Sequence, residues 1–177
     1  MKVVVLTGSA HKGGTSEYMA DRFCAAALAK GHELVRFDCA FNDVHECIGC
    51  NNCTKTGRCI FNDDFVKIHE ALCAADAVIF VSPIYFFGIA SPLKKVIDRM
   101  HAFVPELRSC TKKTALITTG TANKPGSADT VNAYYCKLTE FFGWESFGII
   151  NAGGVPDRAA LKSSTYPSIV DNLALKI

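Results

Sequence analysis

The sequence carries little excess charge, with 19 lysines and arginines against 17 aspartates and glutamates in 177 residues, a net charge of +2. Both signs are dispersed along the chain, which argues against a broad nucleic-acid surface or a polybasic membrane patch. No apolar run reaches membrane-spanning length, and the apolar part of Met1-Lys2-Val3-Val4-Val5-Leu6 is too short for a secretory signal. A cytoplasmic protein with no nucleic-acid or membrane partner is therefore expected. Internal repeats and Pro-, Gly- or Ser-rich linkers are also missing, so residues 1–177 are expected to form one domain. Three phosphate-handling signatures are absent. A Walker A loop requires Lys after its second spaced glycine, but after Gly8 and Gly13 stands Gly14. The G-x-G-x-x-G dinucleotide pattern fails at Ser9-Ala10, where Cβ atoms would block close approach to a pyrophosphate. A phosphatase C-x5-R loop fails by one residue between Cys53 and Arg58.

What is present begins with Leu6-Thr7-Gly8-Ser9-Ala10-His11-Lys12-Gly13-Gly14-Thr15-Ser16. The β-branched run Val3-Val4-Val5-Leu6 reads as a buried strand, and Met19, Phe23 and Ala27 recur at helical spacing. A glycine-rich turn thus joins a strand to a helix start. There the first backbone N–H groups have no intrahelical partner and carry the positive end of the helix dipole. With hydroxyls from Ser9, Thr15 and Ser16, the stretch suits a single terminal phosphate; read blandly, it is a capped strand-to-helix loop.

The rest of the chain repeats this alternation. Further strands are expected at Leu34–Phe37, Ala77–Val81, Ala115–Thr118 and Phe147–Ile150. Helices are expected from Asp64 with Phe65, Ile68 and Leu72 inward, from Ser91-Pro92 with Leu93, Val96, Ile97 and Met100 inward, from Ala128 to Phe142, and from Pro167 to Ile177. Gly31 and Gly143 read as helix stops. Lys94, Lys95, Asp98 and Arg99 fall largely off the inward face of their helix, and Asp98 and Arg99 read as surface or interface charges. Five strands alternating with helices imply a three-layer, doubly wound α/β domain with a parallel sheet in the flavodoxin-like order 2-1-3-4-5. In that order the crevice between strands 1 and 3 opens where the phosphate-type loop meets the aromatic loop Ser82-Pro83-Ile84-Tyr85-Phe86-Phe87-Gly88. A phosphate cradle beside an aromatic wall suits a flat heteroaromatic ring with one phosphate, as in FMN. Each aromatic of that loop also has an ordinary reading as core packing.

Thr7–Ser16, Ser82–Gly88 and Leu93–Arg99 together resemble the NADPH-dependent FMN reductase group of flavodoxin-like proteins, over the chain up to about Gly120. The resemblance implies noncovalent FMN and a homodimer or homotetramer with flavins near subunit boundaries. It implies phosphate contacts from Ser9, Lys12, Thr15 and Ser16, and ring contacts from Pro83, Ile84, Tyr85, Phe86 and Gly88. Thr119 and Gly120 are added as cofactor contacts, and backbone N–H groups near the Tyr85 and Gly120 loops are expected to stabilise negative charge on the reduced ring. Lys12 stands where the family loop often has Arg, so it offers charge without the bidentate fork. The implied activity is an oxidoreductase in which hydride passes from NAD(P)H to FMN and electrons continue to a small acceptor (quinone, flavin or ferric) or to a redox protein.

Nine cysteines in a chain expected to be cytoplasmic read as thiols, metal ligands or redox groups rather than a secreted disulfide framework. Four of them, Cys47, Cys50, Cys53 and Cys59, form C-x2-C-x2-C-x5-C within the irregular segment 39–62. A tetrahedral thiolate site can use that spacing, and Gly49 and Gly57 would let the chain fold around a cluster. The pattern is similar to the compact motif of iron-sulfur flavoproteins, a branch of the same family, which implies a [4Fe–4S] cluster for electron transfer on those four residues. Metal-free thiols, a zinc site joined by His45, a regulatory disulfide and a thiol or flavin redox sensor remain open readings. Cys24, Cys73, Cys110 and Cys136 read as buried small apolar residues.

Overall fold

The computed structural model describes all 177 residues. Its strands are β1 (Lys2–Thr7), β2 (Glu33–Asp38), β3 (Ala77–Tyr85), β4 (Gly88–Ile89), β5 (Lys113–Thr119) and β6 (Glu145–Ala152). Its helices are α1 (Thr15–Ala29), α2 (Asn52–Thr56), α3 (Phe65–Ala74), α4 (Ser91–Arg99), α5 (Val104–Arg108), α6 (Asp129–Phe142), α7 (Arg158–Lys162) and α8 (Tyr166–Ala174), with a 3₁₀ turn at Met100–Phe103. The long strands pair in the order β2-β1-β3-β5-β6, all parallel. Without the two-residue β4, which folds back antiparallel on β3, this is the expected 2-1-3-4-5 arrangement.

The strands are apolar on both faces because each face is covered. Val3, Val5, Ala77, Ile79, Val81, Ala115 and Ile117 point to one core with Met19 and Phe23 of α1 and Val170 and Leu173 of α8. Val4, Leu6, Val78, Phe80 and Leu116 point to the other, with Leu72 of α3, Leu93 and Val96 of α4 and Tyr135 and Phe142 of α6. Period-two alternation therefore sorts one continuous apolar run into two cores, giving three layers.

The structure departs from the expected elements in four places, each with a local cause. β3 runs on through Pro83, Ile84 and Tyr85 and turns at Phe86-Phe87, where φ is +46° and +65°. That is the left-handed geometry of a tight hairpin, which normally selects Asn-Gly. Short helix α2 lies within the stretch expected to be irregular, and short helices α5 and α7 form where no helix was expected. Arg99 is buried rather than a surface charge, with only 2% of its area exposed, because the cysteine segment folds over this flank of α4. The isolated cysteines are not core residues: Cys24 and Cys73 are half-buried, and Cys110 and Cys136 are exposed, the latter on the solvent side of α6. The buried thiol is Cys39, which packs with Phe37 and Val44.

Candidate functional site

A cleft of about 410 Å³ opens at the carboxyl ends of β1, β3 and β5, the switch point of the sheet. Its first wall is the β1–α1 loop. Gly8 must be glycine because its backbone presses on α4: an added Cβ would lie 2.8 Å from Leu93 Cβ and 3.2 Å from Ser82 Oγ. The Ser9 hydroxyl accepts the His11 N–H at 3.1 Å, and a Glu17 carboxylate oxygen accepts the Gly13 N–H, so the loop is braced from within. The first-turn N–H groups of Thr15, Ser16 and Glu17 have no partner in the chain and face the position where an anion is favoured.

The second wall is the end of β3, and the third is the loop after β5. Thr15 Oγ1 donates to Thr119 Oγ1 at 3.0 Å, and Ser16 Oγ lies 2.7 Å from the same hydroxyl, so Thr119 ties the third wall to the first. Ser82 Oγ accepts the Ala90 N–H at 2.9 Å, which fixes the β3–β4 hairpin against the start of α4. A fourth wall comes from the segment after β6. Val155 N–H donates to Gly120 carbonyl at 3.1 Å, and Gly120 N–H donates to Ala152 carbonyl at 2.9 Å. Gly153 permits this closure, since a Cβ there would meet Ala122 carbonyl at 2.7 Å. Beyond the shared residues Ile84, Gly120 and Thr121 lies a neighbouring cavity of about 560 Å³, walled by Phe86, Phe87, Asn123, Lys124 and Asn132. The Asn132 Oδ1 atom is buried there without a hydrogen-bond partner.

Of the residues singled out from sequence, the cleft brings together Ser9, Thr15, Ser16, Pro83, Ile84, Tyr85, Thr119 and Gly120. Phe86 faces the neighbouring cavity instead and is fully exposed. Gly88 pairs with Tyr85 in the hairpin and lines neither space. Lys12 also stays out of the cleft, its ammonium 4.7 Å over the Phe41 ring. Residues not singled out enter it: Val155, Pro156, Asp157 and Arg158. The available signal was Asp157 followed by Arg-Ala-Ala-Leu-Lys, a capping residue before a helix-forming run; its Oδ1 accepts the Ala160 N–H at 2.8 Å.

Cys47, Cys50, Cys53 and Cys59 line a separate cavity of about 30 Å³, with Ile48, Ile60, Phe61 and His101. Gly49, Asn51 and Gly57 turn the chain around it at φ of +67°, +56° and +69°. No three or more His, Cys, Asp or Glu side chains are grouped tightly enough to hold one metal ion. At a Zn–S distance of about 2.3 Å such an ion requires its sulfurs nearly in contact, whereas a cluster with several irons is served by sulfurs spread around its rim. The donor set the segment offers is four thiols, the ligand type of iron–sulfur clusters and of zinc alike.

Arg99 anchors this segment. It donates to the His45 carbonyl at 2.8 Å and to both Asp63 carboxylate oxygens at 2.8 and 3.1 Å, and its guanidinium centre lies 5.2 Å from the Phe61 ring and 4.7 Å from the Phe65 ring. Burial works against the Asp63 charge, yet the Arg99 hydrogen bonds and the backbone N–H groups of His45 and Phe65 hold its pKa below the ordinary carboxylate value. Burial pushes the Cys39 thiol up to about 12 and the Cys24 thiol up to about 11.

The sequence model of the NADPH-dependent FMN reductase family matches residues 1–142. An iron-sulfur flavoprotein of Methanocaldococcus jannaschii is 28% identical over 131 residues, 74% of this chain and 68% of that one. One from Archaeoglobus fulgidus is 31% identical over 100 residues, 56% of this chain and 46% of that one, and the chain spans about half the length of most of the curated relatives it matches. Among solved structures, the NAD(P)H:quinone oxidoreductase from Methanothermobacter marburgensis superposes with a TM-score of 0.79 at 15% identity, over 99% of this chain and 96% of that one. That likeness establishes the flavodoxin-like fold.

Proposed function

The chain belongs to the NADPH-dependent FMN reductase family, and from that premise we propose that it is an oxidoreductase that holds FMN in the switch-point cleft and carries electrons from NAD(P)H to a small acceptor such as a quinone, a flavin or ferric iron. The observation that carries this reading is the convergence of the β1–α1 loop, the end of β3 and the loop after β5 on one cleft, with unpartnered N–H donors at one end and Tyr85 at the other. Bound FMN supplies the hydride acceptance and return. The chain binds and orients. The α1 N-terminus with Ser9, Thr15 and Ser16 receives the phosphate, and Pro83, Ile84 and Tyr85 form the apolar seat of the ring. No side chain is required as a nucleophile. Exposure of Tyr85, Phe86 and Phe87 on one hairpin supports a homodimer or homotetramer formed over that edge.

An absorption spectrum after reconstitution with FMN, followed by NAD(P)H consumption with a quinone or ferric acceptor, tests the reading. Flavin bands and turnover that disappear together when FMN is stripped are expected; a protein that retains no flavin would overturn it. A second reading rests on the cysteine cavity and on the iron-sulfur flavoproteins among the relatives. Here Cys47, Cys50, Cys53 and Cys59 hold a [4Fe–4S] cluster, which supplies one-electron transfer to or from the flavin. Iron and sulfide analysis of anaerobically purified protein decides it, and flavin without bound iron would remove the cluster.

A further inference from the structure

Arg158 lies outside the stretch matched by the family model, in the segment that closes the cleft from the side of β6. Asp157 caps α7 through the Ala160 N–H, and this places Arg158 at the first helical position with its guanidinium centre 4.9 Å from the Tyr18 ring. Tyr18 is in the first turn of α1, whose N-terminus forms the anion end of the cleft. Arg158 lines the same cleft as Thr15 and Ser16, whose N–H groups are free. Lys162 lies over the same ring at 5.6 Å and adds a second positive charge.

Arg158 has no carboxylate within salt-bridge distance, whereas Arg22 and Arg99 each have one and Arg36 has three. Its Nε atom is buried and has no acceptor in the chain. A buried donor left unpaired is destabilising, and a guanidinium is shaped to meet a phosphate with two parallel hydrogen bonds. Neither Asp157, whose Oδ1 accepts the Ala160 N–H, nor Glu17, which accepts the Gly13 N–H and faces Arg36 at 3.9 Å, bridges to Arg158. Lys12, the cation closest in the loop sequence, is turned onto Phe41.

We infer that Arg158 is the charged clamp for the phosphate of the bound flavin mononucleotide, taking the place left by Lys12. The inference rests on the FMN reading above and adds a phosphate-specificity residue to it. Phosphate discrimination separates this role from simple support of Tyr18. Binding of FMN and of riboflavin, which lacks the phosphate, is measured by fluorescence quenching for the wild type, R158Q, R158K and K12Q. R158Q should weaken FMN roughly 10- to 100-fold while leaving riboflavin within about twofold, the loss expected for charge-assisted hydrogen bonds. R158K should recover part of the FMN affinity, because it keeps the charge without the fork. If R158Q weakens both flavins alike, Arg158 is only structural and the inference fails. An equal or larger FMN loss in K12Q, with R158Q unchanged, also overturns it. Wild-type protein that binds neither flavin overturns the FMN reading together with this inference, an outcome separate from the other two.

Discussion

Replacing Arg99 by methionine should be among the costliest single substitutions in this chain. The Arg99 and Asp63 side chains are 1% and 4% exposed, so the guanidinium–carboxylate pair is almost wholly withdrawn from water. Methionine keeps contact with the Phe61 and Phe65 rings but removes two hydrogen bonds to Asp63, one to the His45 carbonyl and a longer one, 3.5 Å, to the Phe61 carbonyl. Asp63 then stays buried, supported by the backbone N–H groups of His45 at 2.9 Å and Phe65 at 3.1 Å. Removing one partner of such a pair costs about 3–5 kcal/mol. With about 2–4 °C of melting midpoint per kcal/mol for a domain of this size, R99M should melt roughly 6–20 °C lower. D63N should cost a similar amount by leaving Arg99 unpaired. The double variant D63N/R99M should cost less than the sum, since neither lone charge remains and the carboxamide oxygen still accepts one backbone N–H. A coupling of about 1–3 kcal/mol is expected. The exposed pair Lys94–Asp98 serves as control, with an expected cost of about 0.5 kcal/mol or less. Acid sharpens the test. Because the folded pKa of Asp63 lies below its unfolded value of about 3.9, the bridge is fully stabilising above that value and is lost as pH falls through the folded pKa. D63N should therefore unfold with a shallower acid limb. Urea unfolding of the four proteins between pH 7 and pH 3 reads all of this. An R99M cost below about 1 kcal/mol, or strictly additive single variants, would refute the buried-bridge account.

The Phe86-Phe87 turn should yield stability to substitution, because left-handed backbone costs roughly 1–2 kcal/mol at each non-glycine residue. After the entropy of glycine is deducted, F86N/F87G should gain about 1–2 kcal/mol, and an unchanged melting midpoint would show that the turn is relaxed. Gly8→Ala should lose about 1–3 kcal/mol, since its Cβ would lie 2.8 Å from Leu93 Cβ; chemical unfolding that matches wild type would show that α4 yields easily. Alkylation at pH 8 followed by mass spectrometry should label the exposed Cys47, Cys50, Cys110 and Cys136 first, and Cys39 last, its thiol raised to about 12 by burial. Early labelling of Cys39 would contradict its place in the core.

The parallel sheet was legible because burial on both faces leaves an unbroken apolar run such as Ala77–Val81, and α4 because Leu93, Val96, Ile97 and Met100 repeat with the helical period. The hairpin at Phe86-Phe87 was not legible, since its geometry calls for Asn-Gly and aromatic residues there give no turn signal. Arg99 was read as a surface charge because periodicity describes one helix alone. The partner that buries it, the segment from His45 to Asp63, is more than thirty residues away in sequence. The same limit applies to Arg158: capping chemistry at Asp157 signals a helix, but only the closure of Val155 onto Gly120 shows that this helix begins at the cleft. Local pattern specified the elements, and long-range hydrogen bonds decided which charges face the site.

Those hydrogen bonds also give α4 two ends with different tasks. At its start the Ala90 N–H reaches Ser82 Oγ beside the cleft, and at its end Arg99 grips His45 and Asp63 on either side of the four cysteines. At 1.5 Å per residue, the nine residues of α4 span about 13 Å, and its inward face is locked into the core by Leu93, Val96 and Ile97. The cysteine segment itself has few such restraints. Residues 45 to 51 are exposed throughout, and Val44 and Phe65 are its nearest buried flanks. Its position relative to the cleft is set in part by one rigid helix and one buried ion pair, together with the Asp43–Asp64 hydrogen bonds. The substantial desolvation cost of burying Arg99 is accepted where a packed hydrophobic contact would hold a helix equally well but could not reach two carbonyls and a carboxylate of an otherwise exposed loop at once. Fixing that loop, more than adding net stability, is what this geometry accounts for.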